Sequence, residues 1–257
     1  KAIPIKPILN EIVHPGNRSP LTELIITAMA PGKSIWRGFD DLSNRSIFYI
    51  DPKHAQARES ANTDNFYTWW IDEISDKWGD YPKRSRSFIC STNQGVAADY
   101  GTMSARGGAF LMVPAAPTTV GICPGGDFWA SFTRYIPENI NFLLVRIFKA
   151  FNEGIKPELH SADQFYRELY KVDQKLKTPQ GIELMKSLDN DLAQRFAREG
   201  GVMPVLDMIY DPHMAGFNVI NWPKATLAGN HEVWFSGPCY AIHEDIIKLF
   251  KKYLWKN

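Results

Sequence analysis

Apolar positions recur at helical spacing in five parts of the chain. Behind Ser19-Pro20, an N-cap followed by a first helical residue, Leu21, Leu24, Ile25 and Met29 predict a helix that Pro31-Gly32 ends. Between Asn65 and Trp78 the spacing of Phe66, Trp70, Ile74 and Trp78 predicts a helix packed by large side chains. Ser161 and Gln164 form a capping-box pattern ahead of the stripe Phe165, Leu169, Val172 and Leu176. Thr178-Pro179 then opens a second helix, with Leu184, Leu188, Leu192 and Phe196 on one face and Gly200-Gly201 at its end. An amphipathic final helix runs from Glu244 to Trp255.

Strand patterns surround these helices. Ser34 to Phe39 is short, apolar and aromatic, with Ile35, Arg37 and Phe39 on one face. Ser87 to Ser91 reads as a strand, and Asn93 to Tyr100 as a turn followed by a short helix. Further strands are expected at Ala109 to Val113, Phe217 to Ile220, His231 to Phe235 and Cys239 to Ile242. Alternation puts Asn230, Glu232 and Trp234 on one face and sends Val233 and Phe235 into the core. Residues 1–18 read as a proline-bearing lead-in, 40–64 as an irregular charged stretch, and Pro114 to Pro137 as loops and short strands.

A chain of 257 residues can bury one large core, with or without an insertion. Lysine and arginine number 29 against 28 aspartates and glutamates, so no broad basic field for non-specific nucleic-acid binding is expected. The three cysteines, Cys90, Cys123 and Cys239, are widely spaced and contain no CxxC, which predicts neither a disulfide framework nor a cysteine metal site and favours a reducing compartment. Pro4 and Pro7 interrupt the start of the chain where an export signal needs an apolar run. The most apolar stretch, Asn141 to Phe148, is broken by Arg146 and is too short to span a bilayer. Neither an internal repeat, a GxGxxG nor a P-loop is present.

Three short stretches carry candidate chemistry. Trp36-Arg37-Gly38 offers a guanidinium fork beside a residue that lets a flat ligand approach the backbone. Phe88-Ile89-Cys90-Ser91-Thr92-Asn93, followed by Ala97-Ala98-Asp99-Tyr100-Gly101, puts a hydroxyl at a strand end. Asn230-His231-Glu232-Val233-Trp234-Phe235 sets an amide and a carboxylate two residues apart. Taken singly, each has an ordinary structural reading: a solvated strand arginine, a helix cap and surface decoration.

Taken in order, the three resemble the arginine, serine, glutamate series of the ADP-ribosyltransferases, in particular members carried by phages and bacterial effectors. The resemblance covers residues 34–113 and 217–242. It implies an α+β fold: a split, mainly antiparallel β core with a cleft between its halves, flanking helices, and a helical insertion at about 137–215 in a single domain. It implies NAD as substrate and a macromolecular acceptor, with protein the expected class and nucleic acid left open. Catalytic roles fall by resemblance to Glu232, Ser91, Arg37 and Asn230. Arg37, Gly38, Ser91, Thr92 and Tyr100 are the expected NAD-contacting set, with Thr92 shaping the turn and Tyr100 offering a ring face or simply packing its helix. No metal is implied, and the expected location is cytoplasmic, with delivery into a host or target cell left open.

Cleaving the nicotinamide-ribose bond builds positive charge on the sugar, so a carboxylate beside that ring stabilises the transition state more than the ground state. Glu232 takes this role in the resemblance, oriented by Ser91, with Arg37 on phosphate or ribose oxygens. Two residues before the glutamate, arginine-modifying members carry a second glutamate; Asn230 stands there here, which makes arginine a doubtful acceptor. Water as acceptor, giving an NAD glycohydrolase, and a non-catalytic binding protein on the same fold are the alternatives. His231-Glu232 is no metallopeptidase motif, because Phe235 stands where HExxH needs its second histidine. His243-Glu244-Asp245 reads as a helix start, and His14, His54, His160 and His213 form no constellation.

Overall fold

A computed structural model describes residues 1–40, 42, 46–52, 65–101, 107–132 and 140–254. The strands are β1 (Ala2–Ile3), β2 (Trp36–Phe39), β3 (Ile47–Ile50), β4 (Phe88–Ser91), β5 (Gly108–Pro114), β6 (Thr118–Ile122), β7 (Asn218–Trp222), β8 (Glu232–Phe235) and β9 (Cys239–His243). The helices are α1 (Ile5–Val13), α2 (Pro20–Met29), α3 (Phe66–Trp69), α4 (Gln94–Gly101), α5 (Ile140–Phe151), α6 (Ala162–Lys175), α7 (Pro179–Leu188), α8 (Asn190–Glu199), α9 (Val202–Ile209), α10 (Pro212–Ala215) and α11 (Glu244–Leu254). They divide between two compact units. The first is Lys1–Ala57, Tyr81–Phe128 and Asn218–Asn257; the second is Arg58–Asp80 and Trp129–Phe217.

The first unit is mixed helix and antiparallel sheet. Its strands follow the order β1-β3-β9-β5-β2-β4-β8-β6-β7, and each pairing is antiparallel. β5 is buried along its whole length, which its run Ala109-Phe110-Leu111-Met112-Val113 requires, and α2, α4 and α11 pack on it. Between β2 and β4 the ladder almost fails. β2 pairs with β5 at four positions but with β4 only at Trp36↔Ser91, so the sheet has a seam there. α4 lies against the β2 backbone beside this seam. A Cβ on Gly38 would stand 2.5 Å from Gly101 N and 2.8 Å from Tyr100 C, and closer still to Ala97 O, so only glycine fits the approach.

Capping chemistry behaves as the sequence indicates: the Ser19 hydroxyl accepts Thr22 N–H at the start of α2, and Ser161 accepts Gln164 N–H while Gln164 accepts His160 N–H at the start of α6. Several expected boundaries change. The lead-in contains α1, because Pro7 falls in the first turn, where its missing N–H is no loss. The charged stretch contains β3, while residues 41, 43–45 and 53–64, with His54, lie outside the described residues. Trp255 likewise lies outside them, beyond the end of α11.

The second unit is helical, and the described part of the expected insertion, 140–215, lies in it. So does the aromatic segment that the sequence suggests should flank the β core. It is not one helix: α3 passes into a π-helical turn over Trp70–Ile74 and a 3-10 turn over Asp76–Trp78. Phe66 stacks on Phe165 at 4.8 Å and meets Phe148 edge-on at 5.6 Å, so its large side chains build the core of the helical unit. The single helix expected from Thr178 is two, α7 and α8. Asp189 leaves helical geometry at φ −165° and its carboxylate accepts Leu192 N–H, ending one helix and capping the next. Asp173, buried on α6, accepts Val202 N–H at 2.6 Å and Met203 N–H at 3.2 Å and so caps α9. Burial pushes its carboxyl up, against the lowering effect of those donors.

Candidate active site

β2, β4 and β8 are neighbours, so the three motif stretches come together. Ser91 ends β4 directly opposite Glu232, the first residue of β8, and Trp36 pairs with Ser91 on the other side. Cross-strand partners share a face, which places Ser91 and Glu232 side by side. The turn that follows is self-built. Ser91 Oγ accepts Asn93 N–H at 3.0 Å, and Asn93 Oδ1 accepts Gly95 N–H at 2.8 Å, starting α4. Thr92 ties this turn to β8: its hydroxyl donates to Gly229 O at 2.8 Å and accepts His231 N–H at 2.9 Å. No hydrogen bond joins Ser91 to Glu232 among the described residues; Ser91 is buried, and its hydroxyl serves the turn.

Glu232 is held by a residue that the sequence patterns pass over. Arg84 Nη2 donates to Glu232 Oε1 at 2.5 Å, and the Phe128 N–H donates to Glu232 Oε2 at 3.2 Å. The Arg84 guanidinium lies 3.9 Å from the centre of the Phe128 ring and 5.5 Å from that of Trp234. The side chains of Arg84 and Glu232 keep 11% and 16% of their surface exposed, so the pair is mostly covered yet open at one edge. Arg84 belongs to a short 3-10 turn in the basic connection after Pro82, 148 positions from its partner, and no spacing rule links the two. Trp234 departs from the expected open face. It is buried, stacks with Tyr81, meets Phe128 edge-on, and donates from Nε1 to Pro82 O at 2.8 Å, so the 81–84 segment and Phe128 cover that side of β8.

Arg37 follows Trp36, so alternation sends it from the face opposite to Ser91 and Glu232. Its guanidinium reaches the seam: Nη1 donates to Ile89 O at 2.8 Å, and the rings of Phe39 and Phe88 lie 5.3 and 5.9 Å away. Arg37 therefore ties β2 to β4 where strand pairing has stopped. Among the described residues its Nε is buried without a hydrogen-bond partner. Cys90, beside it on β4, has its thiol pushed up to about 12 by burial, with Arg37 pulling it down and Glu232 pushing it up. Burial also pushes up Cys123 and Cys239, so none of the three is a reactive thiolate.

Gly38 spends its missing side chain on contact with α4, a packing reason for the glycine that the sequence reading assigned to ligand approach. Tyr100 stands on α4 with 76% of its surface exposed. Asn230 sits outside the strand, exposed in the bend that follows Gly229 at φ +93°, so strand alternation does not set it beside Glu232. Among the described residues no group of three His, Cys, Asp or Glu side chains is placed to hold a metal ion. Nor is any helix among them long and apolar enough to cross a membrane. No protein-family model, curated protein or solved structure matches the chain.

Proposed function

We propose that this protein binds NAD, cleaves its nicotinamide-ribose bond and transfers ADP-ribose to a macromolecular acceptor, on an ADP-ribosyltransferase-like core. The observation that carries the reading is the register: the serine and glutamate of the motif series lie directly opposite one another, and the arginine strand joins the serine strand at the one position beside them. The seam between β2 and β4 supports a β core in two halves.

In this reading the electron pair of the broken C1′–N bond goes to the nicotinamide ring nitrogen, which leaves neutral and needs no general acid. Glu232 supplies negative charge beside the ribose as that ring becomes cationic. Ser91 shapes the strand end that presents Glu232, Arg37 keeps the β2–β4 junction closed, and exposed Tyr100 offers a face for a flat ring. The acceptor gives up a proton as it bonds to C1′. Asn230, an amide outside the strand, supplies no base for that proton, which argues against arginine as acceptor.

Incubation with NAD labelled in the adenylate half and a cell lysate tests this. Nicotinamide release with label that protease removes is the expected result. Release with no labelled macromolecule makes the protein an NAD glycohydrolase; neither NAD binding nor release overturns the enzymatic reading and leaves a binding protein.

A further inference from the structure

Glu232 as found is a poor stabiliser of a cation. A guanidinium hydrogen-bonded to one of its oxygens cancels much of the charge that an oxocarbenium-like sugar requires, and the cancellation is strong because both groups are mostly withdrawn from water. The pair must loosen if Glu232 is to act, and its surroundings make loosening feasible. Arg84 also has ring contacts to Phe128 and Trp234, which hold the guanidinium beside Glu232 without consuming its N–H donors. Glu232 has a second tether, the Phe128 N–H, so the carboxylate keeps its place when Arg84 lets go. The planar fork that grips a carboxylate grips a phosphate equally well.

We propose that Arg84 is an anion-responsive latch: it neutralises Glu232 in the ligand-free protein and passes to the diphosphate of the dinucleotide on binding, which frees the carboxylate for the ribose. The proposal rests on the NAD reading for its ligand, but the latch has a readout of its own. In this account Arg84 touches the substrate's diphosphate directly and acts on the ribose only through Glu232. Coupling the two contacts means that the acid becomes active only when the substrate's anionic end is in place.

The test uses the full chain labelled with 13C at glutamate carboxyls, with the Glu232 signal identified by its loss in Glu232→Gln. Removing the adjacent cation in Arg84→Gln displaces the Glu232 carboxyl signal at fixed pH. Adding inorganic pyrophosphate moves the wild-type signal saturably toward its position in Arg84→Gln, while sodium chloride at equal ionic strength does not. An unchanged signal in Arg84→Gln, or an equal response of both proteins to pyrophosphate, overturns the latch. In turnover, Arg84→Gln raises KM for NAD roughly tenfold or more without lowering kcat. A lowered kcat at unchanged KM shows instead that Arg84 only orients Glu232. Melting curves confirm the fold of each variant, and Arg84→Met, which removes the charge and keeps an unbranched side chain against the rings, takes the place of Arg84→Gln if that protein does not fold. Should the wild type not bind NAD, the functional reading falls, while the response of the Glu232 carboxyl signal to pyrophosphate still decides the latch.

Discussion

Gly38→Ala probes the packing that braces the seam. The added methyl would stand 2.5 Å from Gly101 N and 2.8 Å from Tyr100 C, and nearer to Ala97 O. These are main-chain atoms of α4, so no side chain can rotate aside; ordinary contact near 3.5 Å requires the helix to move by about 1 Å. Such overpacking costs about 1–3 kcal/mol. An alanine in place of glycine also restricts the unfolded chain, which offsets about 0.4–1 kcal/mol of that cost. The net loss of about 1–2 kcal/mol corresponds to a fall in Tm of roughly 2–8 °C for a chain of this size. Differential scanning calorimetry reads the fall, and hydrogen exchange locates it: amides of α4 lose protection before those of β5. The sign decides the matter. If α4 did not lie on Gly38, the unfolded-state effect would act alone and the variant would melt at or above the wild-type temperature, which would refute the close approach of helix and strand.

Two further substitutions test other parts of the account. In Gly121→Ala the new Cβ falls inside the Trp234 indole, so the ring must leave its place between Tyr81 and Phe128 and release its hydrogen bond to Pro82 O; a red-shifted tryptophan emission and a Tm loss of several degrees are expected, and unchanged emission counts against the packing. Asp173 gives a pH dependence. Its carboxyl is raised by burial in the folded state, so its charge opposes folding near neutral pH, and that opposition disappears as pH falls through the raised value toward the ordinary aspartate value of 3.8. Relative to Asp173→Asn, the wild type therefore gains stability between about pH 7 and 4; a gap that moves the other way contradicts the assignment.

What the sequence made legible follows the range of the interactions involved. Local chemistry reads well: Ser19 and Ser161 cap the helices they announce, and Trp36, Cys90 and Val233 fall in strands because aromatic and branched neighbours favour extended chain. Helix breaks read poorly where the pattern of apolar residues runs on across them. Leu184, Leu188, Leu192 and Phe196 keep their spacing through Asp189, whose side chain competes for the backbone and splits the helix. Faces read poorly where a distant segment covers them, as Tyr81 and Phe128 cover Trp234. The candidate site shows both limits. Ser91 and Glu232 are brought together by sheet order, which their motifs only suggest, whereas Arg84 meets Glu232 through a turn whose sequence, Pro82-Lys83-Arg84-Ser85-Arg86, carries no mark of its partner.

The central claim is that Glu232 supplies the charge that breaks the nicotinamide-ribose bond, and nicotinamide release from NAD measures this most directly. Glu232→Gln preserves the shape of the side chain and removes its charge. The account predicts steady release by the wild type and a loss of roughly 100- to 1,000-fold in Glu232→Gln, with the variant still unfolding in one cooperative transition well above the assay temperature. Wild-type protein that releases no nicotinamide, or a folded Glu232→Gln protein that releases it at the parental rate, contradicts it.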